Sequence, residues 1–248
     1  MDPQKQVALF VTCLVDQVMP EVGVSTVKLL RRAGYEVTFP TDQTCCGQPF
    51  FNSGFQDEAR RLAKRTIDLF ADETAVVLPS GSCTTMIRQE YAHLFKDDPK
   101  YYYRALRLAK KTFELSEFLI KEAHWQPAAS LAESDSPKET ITYHDSCHMC
   151  RLLGLKEEPR TLLDNAGYPI HEMAEPDRCC GFGGLFSVRM KEVSNAMTAE
   201  KVRQAGETQA ATLVTSDPGC LMQMRGMLPA DSELRIEHTA TLLEKATR

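Results

Sequence analysis

The chain has 248 residues, with 29 Lys and Arg against 34 Asp and Glu, for a formal net charge of −5. That balance argues against a nucleic-acid or anionic-membrane binder, and no apolar run approaches the roughly 20 residues that cross a bilayer. The opening segment Met1 to Gln6 lacks the basic-then-apolar layout of an export signal, so the expectation is a cytoplasmic protein whose nine cysteines stay reduced and serve metal or redox chemistry rather than disulfides.

In chain order, Val7 to Val11 is a short apolar, β-branched run that predicts a buried strand. Val22, Thr26, Leu29, Leu30 and Ala33 recur at helical spacing and stop at Gly34, after which a second strand is expected to run to Phe39. Ala59, Leu62, Ala63, Thr66, Ile67 and Phe70 form the inner stripe of another helix, followed by a third strand over Thr74 to Leu78 and a fourth at Thr112 to Leu115. Glu122 to Glu139 is rich in Ala, Ser, Pro and charge and reads as a linker. The pattern then restarts: Ile141-Thr142-Tyr143, a Gly167-Tyr168 helix end with a strand expected to reach about Met173, Ala211 to Thr215, and Arg235-Ile236-Glu237. The expected organisation is a first repeat over 1–121, a linker over 122–139 and a second repeat over 140–248.

The cysteines follow the same duplication. Cys13 lies 32 positions before the doublet Cys45-Cys46-Gly47, and Cys147 lies 32 positions before Cys179-Cys180-Gly181. A further cysteine follows each doublet, at Pro79-Ser80-Gly81-Ser82-Cys83 and at Ser216-Asp217-Pro218-Gly219-Cys220. Alternating strands and helices imply an α/β fold with parallel sheets, here two duplicated Rossmann-like halves about a pseudo-twofold axis. All eight of these cysteines would then lie just beyond strand C-termini, where open α/β sheets bind ligands. Four thiolates per half suit a soft metal centre.

Paired buried hydrophobes would not repeat a spacing in this way. Zinc sites favour close Cys-x-x-Cys pairs, and the one such pair, Cys147-His148-Met149-Cys150, has Asp16 in place of its second cysteine in the first half. Cys150 is therefore expected to be a spare thiol. Gly47 and Gly181 allow the tight turn that two adjacent thiolates need to share a centre.

Phe10-Val11-Thr12-Cys13-Leu14-Val15-Asp16, Thr44-Cys45-Cys46-Gly47-Gln48-Pro49, Tyr143-His144-Asp145-Ser146-Cys147-His148 and Cys179-Cys180-Gly181-Phe182-Gly183-Gly184 together resemble the CCG-domain iron–sulfur proteins. That family includes the B subunit of heterodisulfide reductases, the iron–sulfur subunits of glycolate oxidase and anaerobic glycerol-3-phosphate dehydrogenase, and the lactate-utilisation A group, or E subunits of L-lactate dehydrogenase complexes. The last is the nearest in length and wording. The resemblance implies one or two 4Fe–4S clusters held by Cys13, Cys45, Cys46 and Cys83 and by Cys147, Cys179, Cys180 and Cys220. It further implies an electron-transfer subunit of a complex oxidising L-lactate to pyruvate, whose partners are a ferredoxin-type iron–sulfur subunit and one further subunit.

A heterodisulfide-reductase-like thiol/disulfide redox role is the alternative. Those B subunits carry a fifth cysteine three residues after the last, where this chain has Met86 and Gln223. No nicotinamide or flavin fingerprint is present, which leaves hydride chemistry to a partner. His144, Asp145 and His148 flank Cys147, where they either tune a metal centre or satisfy backbone groups. Gly181-Phe182-Gly183-Gly184 lacks phosphate-loop spacing and reads as close packing, and Tyr101-Tyr102-Tyr103 as a helix face or a docking patch.

Overall fold

The computed structural model describes residues 5–127 and 138–247; residues 128–137 of the expected linker lie outside them. Strands β1 (Gln6–Leu9), β2 (Glu36–Thr38), β3 (Val76–Leu78) and β4 (Thr112–Glu114) form a parallel sheet in the order β2-β1-β3-β4. Strands β5 (Ile141–Tyr143), β6 (Thr212–Thr215) and β7 (Arg235–His238) form a second parallel sheet in the order β5-β6-β7. Helices supply the crossovers that parallel pairing requires, and β3 and β6 are buried along their whole length, as strands covered on both faces must be.

The second half departs from expectation at one strand. The run expected to reach Met173 is reduced to a single bridge between Ile170 and Ile141. In the first half Glu36 N–H donates to Lys5 O at 2.9 Å, extending the ladder. Pro169 stands at the equivalent place and has no N–H to give. Only the bonds from Ile141 N to Pro169 O and from His171 N to Ile141 O remain there, at 2.9 and 2.8 Å.

The halves pack reciprocally. Helix Gly81–Thr85 of the first half meets the helical turn His148–Leu152 of the second, while Pro218–Arg225 meets Cys13–Val18. Likewise Pro20–Arg32 lies on Thr239–Ala246, and Leu115–Glu117 on Glu157–Asn165. Equivalent elements exchange partners, as a twofold relation demands. One apolar cluster runs through both halves, with Leu29, Leu30, Leu119, Tyr143, Leu162 and Leu243 fully or almost fully buried in it. Arg32 ties the halves by donating to Glu244 Oε1 at 3.1 Å and Thr247 Oγ1 at 2.6 Å.

Glu114, at the end of β4, is a buried helix cap whose Oε2 accepts from Ser116 N at 2.6 Å and Glu117 N at 3.3 Å. Burial raises its carboxyl from the ordinary 4.5 to about 8. The native state therefore holds a proton that the unfolded chain releases above pH 4.5, and the contribution of Glu114 to stability is lost as pH rises from about 4.5 to about 8, against the opposite contribution of the buried neutral His144 and His238 below pH 6.5. The full loss is on the order of 3 to 5 kcal/mol. Glu114→Gln keeps an accepting oxygen for the cap and is expected to gain stability relative to the parent chain as pH rises from 5 to 8.5, read as the difference between the two in urea unfolding. A difference that stays constant with pH would mean that Glu114 makes no such contribution.

Candidate metal centre

The first half builds its cysteine set from three strand ends, and the second from the ends of β5 and β6 and the single bridge at Ile170. Beyond β1 the backbone turns at Thr12, with φ of 72°, into the helix Cys13–Val18. Beyond β2 the chain reaches Cys45 and Cys46, and Gly47, with φ of 92°, leads into the short helix Gln48–Asn52. Beyond β3, Cys83 sits in the first turn of Gly81–Thr85, where Ser80 Oγ accepts from its N–H at 3.3 Å.

Cys46 Sγ lies 3.3 Å from Cys83 Sγ. Cys45 is in thiol hydrogen-bond contact with both Cys13 and Cys46, and Gly47 N–H donates to Cys45 Sγ at 3.4 Å. The second half repeats this arrangement. Cys180 Sγ is 3.1 Å from Cys220 Sγ, Cys179 contacts both Cys147 and Cys180, and Gly181 N–H donates to Cys179 Sγ at 3.4 Å. All eight cysteines expected at the centres are thus brought together as two sets of four, and none is in a disulfide.

The electrostatics show what each set accommodates. Hydrogen bonds from the neighbouring thiols hold Cys45 at about 3 and Cys179 at about 2. Those same bonds, together with burial, push Cys13, Cys46, Cys147 and Cys180 far upward. Further thiolates in so small a space require a cation among them, as a soft metal or an iron–sulfur core provides. The donor chemistry fits such a group.

The two sets are neighbours. The cavity beside Cys147, Cys179 and Cys180 and the cavity beside Cys13, Cys45 and Cys46 share a wall of Gln48, Pro49, Ser82 and Phe182. Asp217 locks this region: Oδ1 accepts from Gly219 N at 3.1 Å and Oδ2 from Ser82 N, in the other half, at 2.7 Å. A Cβ on Gly219 would lie 2.6 Å from the Phe182 ring, so the ring packs directly on the backbone next to Cys220.

Residues flanking Cys147 divide by role. Asp145 is held by Arg160 through bonds of 2.7 and 3.0 Å and serves the structure. His148 Nδ1 lies 3.5 Å from Cys147 Sγ. His144 is fully buried, its ligand atom lies within 4.8 Å of those of Cys180 and Cys220, and neither ring nitrogen has a hydrogen-bond partner among the described residues. Burial lowers it to about 3, so the ring is neutral.

Cys150 lies farther along the turn, half-buried, and lines neither cavity. Gly181, Gly183 and Gly184 all have positive φ, and Gly181 packs against the helix Lys191–Glu207 as close packing requires. Tyr101 lies under Lys64 Nζ, 4.4 Å from its ring centroid, and bonds Asp68, while Tyr103 is exposed; the triplet is a helix face.

Several participants escaped the sequence reading. Asp217 before Pro218 carries an N-cap signal that could have been read, but nothing local announces its bond to Ser82. Lys201 is fully buried in a helix of polar composition, where Glu175 O and Pro176 O accept from its ammonium; burial lowers it to about 8, which leaves it cationic at neutral pH.

Comparison with known proteins agrees with this geometry. The cysteine-rich CCG domain matches residues 7–88 and 141–225. Lactate utilization protein A of Bacillus subtilis (strain 168) is 46% identical over 240 residues, covering 96% of this chain and 98% of its own. Its namesake from Halalkalibacterium halodurans is 44% identical over 250 residues, covering 98% of each chain. A hypothetical protein from Helicobacter pylori shares the fold, with a TM-score of 0.71 at 9% identity over 99% of this chain, which spans 49% of that larger one. With both halves matched and near-complete coverage of these relatives, the chain belongs to the cysteine-rich CCG-domain family, among the lactate utilization A proteins.

Proposed function

We propose that the chain is the iron–sulfur electron-transfer subunit of a multi-subunit cytoplasmic system that oxidises L-lactate to pyruvate. In this reading Cys13, Cys45, Cys46 and Cys83 hold one 4Fe–4S cluster, and Cys147, Cys179, Cys180 and Cys220 hold another. The observation that carries it is the pairing of two convergent four-sulfur sets across one shared wall. The names of the relatives supply the lactate context.

Bound clusters supply reversible one-electron exchange at thiolate-ligated iron. The chain's residues do the rest. Gly47 and Gly181 donate backbone N–H groups to sulfur, Phe182 and Pro49 keep the wall apolar, and Asp217 holds the Cys83 and Cys220 loops in register. Hydride removal from lactate belongs to a partner in this scheme, with a ferredoxin-type subunit and one further subunit completing the system.

The test is anaerobic mixing of the cluster-loaded chain with L-lactate, with and without the partner subunits. Bleaching of the visible absorbance only when the partners are present is the expected result. Lactate turnover by the isolated chain would overturn the reading.

A further inference from the structure

The two cysteine sets match in exposure but not in surroundings. Cys46 and Cys180 are 1% and 3% exposed, and Cys83 and Cys220 are 8% and 6% exposed, so solvent access does not distinguish the centres. The side chains behind them do. A Cβ on Gly47 would meet Ala59 first, and one on Gly181 would meet Ser194. One turn farther along the same helices, Ala63 in the first half stands where the second has Thr198, and Thr66 where it has Lys201. Three residues after the last cysteine, Met86 stands against Gln223; three before the first, Phe10 stands against His144. The first centre is backed by hydrocarbon apart from Thr66 and the Tyr91 hydroxyl, and the second by more hydrogen-bond donors and a cation.

In the second half these donors form two relays that end on sulfur. Gln223 Nε2 donates to Thr198 Oγ1 at 2.9 Å, and Thr198 Oγ1 donates to Cys180 O at 2.7 Å; the N–H of that same peptide, Gly181 N, donates to Cys179 Sγ. Gln223 Nε2 also donates to Ser194 Oγ at 3.1 Å, and Ser194 Oγ donates to Gly181 O at 2.8 Å; that peptide's N–H, Phe182 N, donates to Cys180 Sγ at 3.5 Å. Hydrogen bonds in series polarise one another. The first half has the first of these relays, since Cys46 O accepts from Tyr91 Oη at 2.8 Å and Gly47 N donates to Cys45 Sγ at 3.4 Å, but not the second, because Gly47 O is taken up by Phe51 N within the following helix turn.

We propose that these surroundings make the two centres electrochemically unequal, with the Cys147-Cys179-Cys180-Cys220 centre reduced first and Gln223 and His144 acting as positioning residues for its potential. The inference rests on the cluster assignment made above. Adding an electron makes a thiolate-held cluster more negative, so N–H donors to sulfur and a nearby ammonium stabilise the reduced form more than the oxidised one. No proton or atom need move.

The test is a reductive titration of the cluster-loaded full chain with dithionite, followed by electron paramagnetic resonance, with iron and sulfide assayed on every sample. Two waves are expected, and Cys46→Ser should remove the lower. Gln223→Met, which copies Met86, should lower the upper wave alone by about tenfold in the one-electron equilibrium constant, about 59 mV. His144→Phe, which copies Phe10, should shift the same wave in the same direction. A single wave, an upper wave belonging to the first set, or variants that move neither wave at full iron and sulfide loading would overturn the inference alone. Absence of iron and sulfide from the native chain would overturn the cluster assignment with it.

Discussion

Replacing Cys46 with serine is expected to cut the iron bound per chain by about half and to leave the second set loaded. Cys46 is the inner member of its set, 1% exposed, in contact with Cys45 and 3.3 Å from Cys83. A serine hydroxyl is harder and far less acidic than a thiol, so it cannot replace a soft ligand. Changing even a supporting group around a metal costs about 10–100-fold in affinity, and loss of a direct ligand should exceed that. Cys150→Ser, one turn from Cys147 but outside both cavities, should leave iron unchanged. Iron per chain after anaerobic purification decides between outcomes. Complete loss of iron in the Cys46 variant would mean that the two sets hold one shared group.

The second large effect is a contrast between two equivalent glycines. Gly47 and Gly181 have nearly the same φ, +92° and +89°. Both substitutions to alanine therefore carry the left-handed backbone penalty of about 1–2 kcal/mol. At Gly47 the new Cβ would meet its nearest atom at 3.4 Å, an ordinary contact, but at Gly181 it would lie 2.5 Å from Ser194 O and 2.9 Å from Thr198 Oγ1. The Ser194 oxygen is backbone in a 17-residue helix and cannot turn aside. Gly181→Ala should thus cost at least about 2 kcal/mol more than Gly47→Ala, among the larger effects of single substitutions. Chemical denaturation of the two variants measures the difference, and equal losses would contradict the packing described here.

Much of this was legible in the sequence because duplication supplies its own control. The equal spacing from Cys13 to Cys45 and from Cys147 to Cys179 could be read without any structure, and strand–helix alternation placed all eight cysteines at strand ends. The shortened strand at Ile170 was legible in principle, since Pro169 advertises the missing donor. The shared wall was not. Gln48, Pro49, Ser82 and Phe182 come from loops of both halves and meet only once the halves pack. Lys201 gave no signal either: it sits in a helix with Glu200 and Arg203, whose mutual ion pair marks that stretch as solvent-facing, yet Lys201 itself points inward to backbone carbonyls. His144 was noticed for its neighbour Cys147, whereas its ring faces Cys180 and Cys220.

The measurement that bears most directly on the central claim is iron and acid-labile sulfide per chain on anaerobically purified protein, read together with the visible spectrum. Two four-cysteine sets predict about eight irons and about eight sulfides per chain, with the broad brown absorbance of 4Fe–4S clusters. Zinc bound without sulfide, in a colourless protein, would contradict the account.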